Sequence, residues 1–279
     1  MPTSEVASII PNLEAIHSIN PKSMLDVGIG FGRYGYLARE ILDYKFDDNG
    51  NLQPFQMRID GIEIFPNYLT NIQRAIYDNI YIGDAFDIIN ETDYIYDLIF
   101  ASDVIEHFRK NKAQEFIANA LKKCETLYIN TPYIYYEQDV TYGNEYENHL
   151  SGWNIRDFKE LGAKYIFRES IFISAMFTGL NLEFPLAEAQ NDNYNENDIG
   201  NFLLLLDKYL RTEQFNECLN ECEYYIANYP INYTVEITYA YLNIYFNNFD
   251  KARKHAEIAL KLNPESVEAK EIFQKYVSK

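Results

Sequence analysis

Apolar positions in the first two-thirds of the chain fall in short runs separated by stretches of helical periodicity. That is the trace of a mostly parallel sheet covered on both faces. The runs at 23–28 (SMLDVG), 58–63 (RIDGIE), 80–83 (IYIG), 96–101 (YDLIFA) and 125–130 (ETLYIN) predict strands. Apolar residues spaced three and four apart predict helices near 4–17, 33–43, 66–76, from 103–106 to 121, and 154–161. Two further runs, KYIFRES and IFISAMF, leave no room for a helix between them and predict an antiparallel hairpin at the sheet edge. Residues 44–57 (YKFDDNGNLQPFQM) read as a loop or small hairpin inserted before the second strand.

Beyond an acidic, Asn-rich stretch, Glu188–Asn197, the pattern becomes purely helical. An offset of 34 residues aligns Phe215 with Phe249, Cys218 with Ala252, Cys222 with Ala256, Ile226 with Leu260 and Pro230 with Pro264. A period of that length, with small residues where helices cross and Pro after the second helix, resembles the tetratricopeptide repeat. Ala252, Ala259 and Pro264 match that family's small and Pro positions, whereas Tyr225 makes the earlier copy degenerate. A final helix, Ser266–Tyr276, would cap the stack. The resemblance implies a protein partner or self-association through the repeats, or a purely stabilising role. The organisation expected is an α/β domain at 1–182, a linker at 183–199 and a small all-α domain at 200–279.

Composition narrows the class. Apolar residues make up 47% of the 279, enough for a sizeable core, and no apolar run approaches the roughly 20 residues of a membrane span. The first residues lack the basic start and apolar stretch of a signal peptide, so a cytoplasmic location and no membrane partner are expected. Residues 1–199 carry 15 Lys+Arg against 31 Asp+Glu, and residues 200–279 carry 9 against 11. Polyphosphate partners need clustered cations, so nucleic acid is a disfavoured substrate of so acidic a domain. Three cysteines make no disulfide framework, and Cys218 and Cys222 read as small buried residues.

In sheets of this kind ligands bind beyond the carboxyl ends of the strands. The first predicted strand ends in Asp26-Val-Gly28-Ile29-Gly30-Phe-Gly32, where glycines let backbone approach a ligand closely. Gly30-Phe-Gly32-Arg-Tyr-Gly35 also satisfies the literal G-x-G-x-x-G dinucleotide pattern. The second strand ends in Glu63-Ile64, an acid placed to accept both hydroxyls of a ribose. The third is followed by Gly83-Asp84-Ala85-Phe86, suited to an adenine amino group and ring. The fourth runs into Ser102-Asp103-Val-Ile-Glu106-His107.

D-x-G-x-G-x-G, an acid ending the second strand, G-D-A-F and D-V-I-E-H in this order resemble the class I S-adenosylmethionine-dependent methyltransferases over about residues 1–180. The resemblance implies a Rossmann-like sheet with a terminal antiparallel hairpin, S-adenosylmethionine as cofactor, and methyl transfer to an acceptor. It implies further that Asp26 and the Gly28–Ile29–Gly30–Gly32 turn hold the methionine part and Glu63 the ribose. Asp84 with Phe86 would frame the adenine, Ser102 would lie beside the sulfonium, and Ile64 and Ala85 would complete the cofactor site.

On the acceptor side Asp103, Glu106 and His107 are spaced to share one face of the predicted helix. His149 lies in the Tyr-rich segment Thr131–Trp153 (Tyr133, Tyr135, Tyr136, Tyr142, Tyr146), which reads as a lid or acceptor wall. An oxygen or nitrogen acceptor must shed a proton, and His107 or His149 is a natural general base. D-x-x-E-H with a later His also resembles the E-x-x-E-H…H metal site of small-RNA 2′-O-methyltransferases and the E-x-x-E-H segment of ubiquinone-pathway O-methyltransferases. Asp103 stands where those families have Glu. Metal ligation, metal-free acid/base work and a structural cap all stay open for Glu106–His107, with a divalent metal not the favoured cofactor. The tail holds no candidate chemistry, and His255 reads as a surface residue. The expected function is methyl transfer to an O or N atom of a small molecule or glycan. The alternatives are a non-catalytic adenosylmethionine-sensing scaffold and a dinucleotide-dependent oxidoreductase.

Overall fold

The computed structural model describes residues 6–133, 135–141, 143–168, 171–180 and 198–275. The stretch Glu188–Asn197 and Tyr142 lie outside them. Seven strands form one sheet: β1 (Ser23–Val27), β2 (Arg58–Glu63), β3 (Asn79–Ile82), β4 (Tyr96–Ser102), β5 (Cys124–Pro132), β6 (Tyr165–Arg168) and β7 (Phe172–Thr178). Their order is β3-β2-β1-β4-β5-β7-β6, with β1 to β5 parallel and β7 antiparallel to both β5 and β6. This is the Rossmann-like sheet with a terminal hairpin that the apolar runs predict.

Successive side chains of a strand face opposite sides of the sheet, and here both sides are apolar. Leu25, Val27, Ile99, Ala101, Leu127 and Ile129 pack with residues of α4 (Ala85–Glu91), α5 (Lys110–Ala120) and α6 (Ile155–Glu160). Met24, Ile59, Leu98, Phe100 and Tyr128 pack with α1 (Ile9–Ile19), α2 (Arg33–Ala38) and α3 (Asn71–Ile76). Burial on both faces explains why the central strands read as apolar runs rather than as alternation.

The expected helix at 66–76 is a 3₁₀ turn over Pro66–Tyr68 and two extended residues before α3, and the helical reading needs three further corrections. The expected helix at 33–43 turns to π geometry at Arg39–Asp43. There the buried Arg39–Asp43 pair (2.9 Å) forms, and Asp43 accepts the Gln56 and Met57 N–H groups. That anchors the insertion, whose Phe46↔Leu52 bridge makes the small hairpin. Secondly, α4 was not predicted: what starts it is a local cap, Asp84 accepting the Phe86 N–H at 2.9 Å.

Thirdly, no continuous helix spans 103–121. Asp103 adopts φ 55°, a single 3₁₀ turn covers Ile105–His107, and Arg109 is extended before α5 begins. Asp103, Glu106 and His107 therefore do not share a helical face. In an α-helix the Glu106 carbonyl would bond within the helix. Here it accepts the N–H groups of Leu150 (2.7 Å) and Ser151 (3.1 Å).

A second compact unit contains α7 (Asp198–Arg211), α8 (Phe215–Asn228), α9 (Tyr233–Tyr245), α10 (Phe249–Leu262) and α11 (Val267–Lys275). α8 and α10 begin 34 residues apart, at the two aligned phenylalanines. Cys218, Cys222, Ala252, Ala256 and Ala259 are fully buried where the helices meet. His255 is not a surface residue: it is 8% exposed, with Nδ1 2.6 Å from Glu236 Oε2. It shares the inward face of α10 with Ala252, Ala256 and Ala259, and the lysines and arginine around it disguise that face. Among the described residues no helix is long and apolar enough to cross a membrane.

Candidate active site

Parallel pairing sets the strand tips side by side. Val27 lies opposite Ile62 and Ala101, Ser102 opposite Asn130, and Glu63 opposite Ile82. The strand order reverses at β1, where the chain leaves a crevice beyond the carboxyl ends. A cavity of about 820 Å³ opens there, within the size range of small-molecule sites. Asp26, Gly28, Ile29, Gly30, Glu63, Ile64, Asp84, Ala85, Ser102, Asp103, Glu106, His107 and His149 all line it.

The first tip turns under ligand-sized space because Gly28, Gly30 and Gly32 all take positive φ. At Gly28 a Cβ would also come within 2.9 Å of Val104 Cγ2. Glu63 braces this turn: Oε2 accepts the Gly30 N–H (2.9 Å) and Oε1 the Phe65 N–H (2.8 Å). Each oxygen keeps a second lone pair for a ligand hydroxyl. Burial holds the Glu63 carboxyl above its usual pKa, and the two backbone donors oppose that shift.

Asp26 accepts the Tyr77 hydroxyl at 2.6 Å, and burial lifts its pKa to about 7 against the pull of Tyr77 and the Gly35 backbone. A Cβ on Gly35 would overlap the Tyr77 ring. The third glycine of the literal dinucleotide pattern thus makes room for Tyr77.

Asp84 caps α4 through Oδ1 and takes Lys112 Nζ on Oδ2 at 2.7 Å, so each carboxylate oxygen already has a protein partner. Gly32 and Phe86 do not line the cavity: Gly32 packs on Gln73 and Tyr77, and Phe86 rests against the core. Ser102 Oγ accepts Asn12 Nδ2 (3.1 Å), which also reaches Tyr34 (2.7 Å), while Asn12 Oδ1 accepts Tyr128 (2.7 Å). Sequence reasoning missed Asn12. Its signal was one amide within the apolar stretch IIPNLEAI.

At the same cavity, three side chains from two distant segments converge. Glu106 is 2% exposed; Oε2 accepts Thr131 Oγ1 at 2.8 Å, and Oε1 has no hydrogen-bond partner. His107 Nδ1 lies 3.2 Å from the Asn148 carbonyl and His149 Nδ1 3.0 Å from the Tyr136 carbonyl. A carbonyl only accepts, so both Nδ1 atoms carry the proton and Nε2 is the basic nitrogen of each ring. The rings sit 5.0 Å apart, and one ligand atom from each of Glu106, His107 and His149 lies within 4.8 Å of the others. Burial keeps His107 below its usual pKa, hence neutral at pH 7, and together with nearby Asp103 holds Glu106 well above the usual carboxyl range. Asp103 is outside this cluster; its Oδ2 accepts Ser102 Oγ at 3.3 Å.

The Tyr-rich segment divides in two. Tyr133 and Tyr135 are buried, whereas Tyr136 and Tyr146 are exposed at the cavity wall. Glu147 Oε1 accepts the Tyr68 hydroxyl (2.9 Å), and Asn144 Nδ2 donates to it (3.2 Å). This joins the segment to Tyr68 on the cavity wall, a link the sequence did not announce.

No family model matches the chain, and no curated protein matches it in sequence. Solved structures resemble it loosely. An O-methyltransferase family protein from Burkholderia thailandensis is 12% identical, with TM-score 0.44 over 61% of this chain and 57% of that one. The chain therefore spans little more than half of that protein's length. The methyltransferase domain of bacterial CtHen1 is 19% identical, with TM-score 0.40 over 62% of this chain and 96% of that one. A DhpI–SAH complex is 11% identical, with TM-score 0.45 over 61% of this chain and 83% of that one. At such scores the functional assignment rests on the residues of the cavity.

Proposed function

We propose that this chain is an S-adenosylmethionine-dependent methyltransferase acting on a hydroxyl of a small-molecule or glycan acceptor, with Glu106, His107 and His149 binding a divalent cation beside that hydroxyl. One observation carries the reading. A single cavity is lined by the glycine turn, Asp26, Glu63, Asp84 and Ser102 and also by the carboxylate–imidazole–imidazole cluster. The bend puts Gly28 and Gly30 at positive φ on the cavity wall, and Glu106 Oε1 is a buried oxygen without a hydrogen-bond partner.

The bound donor supplies an electrophilic methyl on a sulfonium, and the cation supplies Lewis acidity toward the acceptor oxygen. The protein's own task is positioning. Glu63 accepts the ribose hydroxyls, Asp84 faces the adenine edge, Asp26 faces the methionine ammonium, and Ser102 stands between donor and acceptor. Tyr136 and Tyr146 line the same cavity and add wall that helps keep donor and acceptor in contact. The acidic first domain disfavours a nucleic-acid acceptor. The helical unit is read as tetratricopeptide-like, offering a surface to a protein partner.

A metal-free variant of this reading makes His107 or His149 the general base. The neutral, Nδ1-protonated state of His107 favours it. Calorimetry with adenosylmethionine, adenosylhomocysteine and NAD tests the cofactor assignment: binding of the first two and not of NAD is expected, and the reverse would remove it. Transfer of labelled methyl to a hydroxylated acceptor separates an enzyme from a scaffold that only senses the donor.

The raised pKa of Asp26 gives a pH signature. With its pKa at about 7, the carboxyl is mostly protonated at pH 6 in the free protein. The ligand's ammonium stabilises the ionised form, so binding expels a proton below the raised pKa and none well above it. The calorimetric enthalpy should therefore depend on the buffer's ionisation enthalpy at about pH 6 and not at about pH 8.5. Asp26→Asn should abolish that dependence. A buffer-independent enthalpy at both pH values in the natural protein would show that Asp26 does not meet the ammonium.

A further inference from the structure

Lys110 is the first residue of α5, where the partial positive charge of the helix end opposes a cation. It is nevertheless 4% exposed. Its Nζ lies 2.7 Å from Asp157 Oδ2, donates to the Gly152 carbonyl at 2.5 Å, and stands 3.9 Å from the centre of the Trp153 ring. All three partners belong to the stretch immediately after His149. Asp157 in turn accepts the Asn154 N–H at 2.9 Å and closes the start of α6. Trp153 Nε1 donates to Ser151 Oγ (3.0 Å), and Ser151 Oγ donates to the Ile105 carbonyl (3.3 Å).

These bonds form a clamp between two segments far apart in sequence. One is the turn bearing Glu106 and His107, three residues ahead of Lys110. The other is the chain leaving His149, already pinned by its Leu150 and Ser151 N–H groups to the Glu106 carbonyl. Among the described residues between Pro132 and Ile155 the helical structure is the turn Glu145–Glu147. Bonds within the segment, His149 N–H to the Gln138 carbonyl and Gln138 Nε2 to the Glu147 carbonyl, shape it, and the clamp ties it to the Glu106 turn. Charge-assisted bonds in a dry interior are strong and directional, and suit this task.

We infer that Lys110 is a positioning residue: its buried ammonium, through Gly152, Trp153 and Asp157, fixes His149 beside Glu106 and His107. Catalysis does not pass through Lys110 itself. The inference rests on the proposed role of the cluster, and the test separates the two.

The experiment uses the full chain. Lys110→Met with Asp157→Asn removes both charges together, leaving no uncompensated buried ion, and the Asn carbonyl can still accept the Asn154 N–H. Trp153→Phe is the milder companion, keeping the ring and removing the bond to Ser151. Two readouts are taken: cobalt(II) titration followed by visible absorption, and the imidazole resonances of the four histidines in metal-free protein. The double variant should bind cobalt about 10- to 100-fold more weakly, the usual effect of losing a ligand's supporting shell. In both variants the His149 resonances should move while those of His17 and His255 stay. Unmoved His149 resonances in a folded variant would overturn the inference. Should the double variant not fold, Trp153→Phe alone decides. A natural protein that binds no cobalt would remove the cation reading, yet the metal-free resonances would still settle the role of Lys110.

Discussion

Glu63→Ala is expected to weaken adenosylhomocysteine binding by at least about 100-fold, or ~3 kcal/mol, measured by calorimetry with the fold intact by circular dichroism. The magnitude follows from losing charge-assisted hydrogen bonds to two ribose hydroxyls, each worth about 1.5–3 kcal/mol. The lost brace on the glycine turn adds to it, because the Gly30 and Phe65 N–H groups lose their acceptor. Glu63→Gln is the informative companion. Its carbonyl keeps one acceptor and its amide turns the other into a donor, so its affinity should fall between alanine and the natural residue. Natural affinity in Glu63→Ala would mean the cavity does not hold a ribose at the β2 tip.

Glu106→Gln is expected to lower methyl transfer at least about 100-fold, the scale of losing a catalytic acid–base group or a metal ligand. Adenosylhomocysteine affinity should stay within about twofold, since Glu106 touches no donor-side residue in the arrangement described. The amide is nearly isosteric with the acid, and burial already holds that acid toward its neutral form, so the melting temperature should hold. Chelator followed by added magnesium, manganese or cobalt divides the two mechanistic readings of the cluster. Turnover lost in chelator and restored by one of the ions supports a cation; unchanged turnover leaves His107 or His149 as a simple base. Equal loss of cofactor affinity in Glu63→Ala and Glu106→Gln would contradict the division of the cavity into donor and acceptor sides.

Much of the fold was legible because a strand buried on both faces is apolar at nearly every position. All five parallel strands and both arms of the hairpin lie within one or two residues of the runs that predicted them. Helices were less legible where their cause is not periodic. α4 depends on a capping acid and seven residues, and Arg39–Asp43 unwinds to make a buried ion pair. His255 misled because a charged helix face and an alanine-lined one alternate through KARKHAEIAL. Only the packing of α9 shows which face is inward.

The chain by itself determined which residues stand at the strand tips. Each tip motif is local: a glycine bend, an acid after β2, an acid after β3 and a serine after β4 are all read within a few residues. Parallel pairing then brings them together without further instruction. The Glu106–His107–His149 cluster was decided by tertiary structure alone. Glu106 and His107 meet His149 because residues 150 and 151 donate to a carbonyl that a helix would have claimed, and because a buried lysine holds the returning chain. Such contacts depend on long-range closure, which no periodicity encodes. The sequence therefore named the three residues, and only the folded chain made them a cluster.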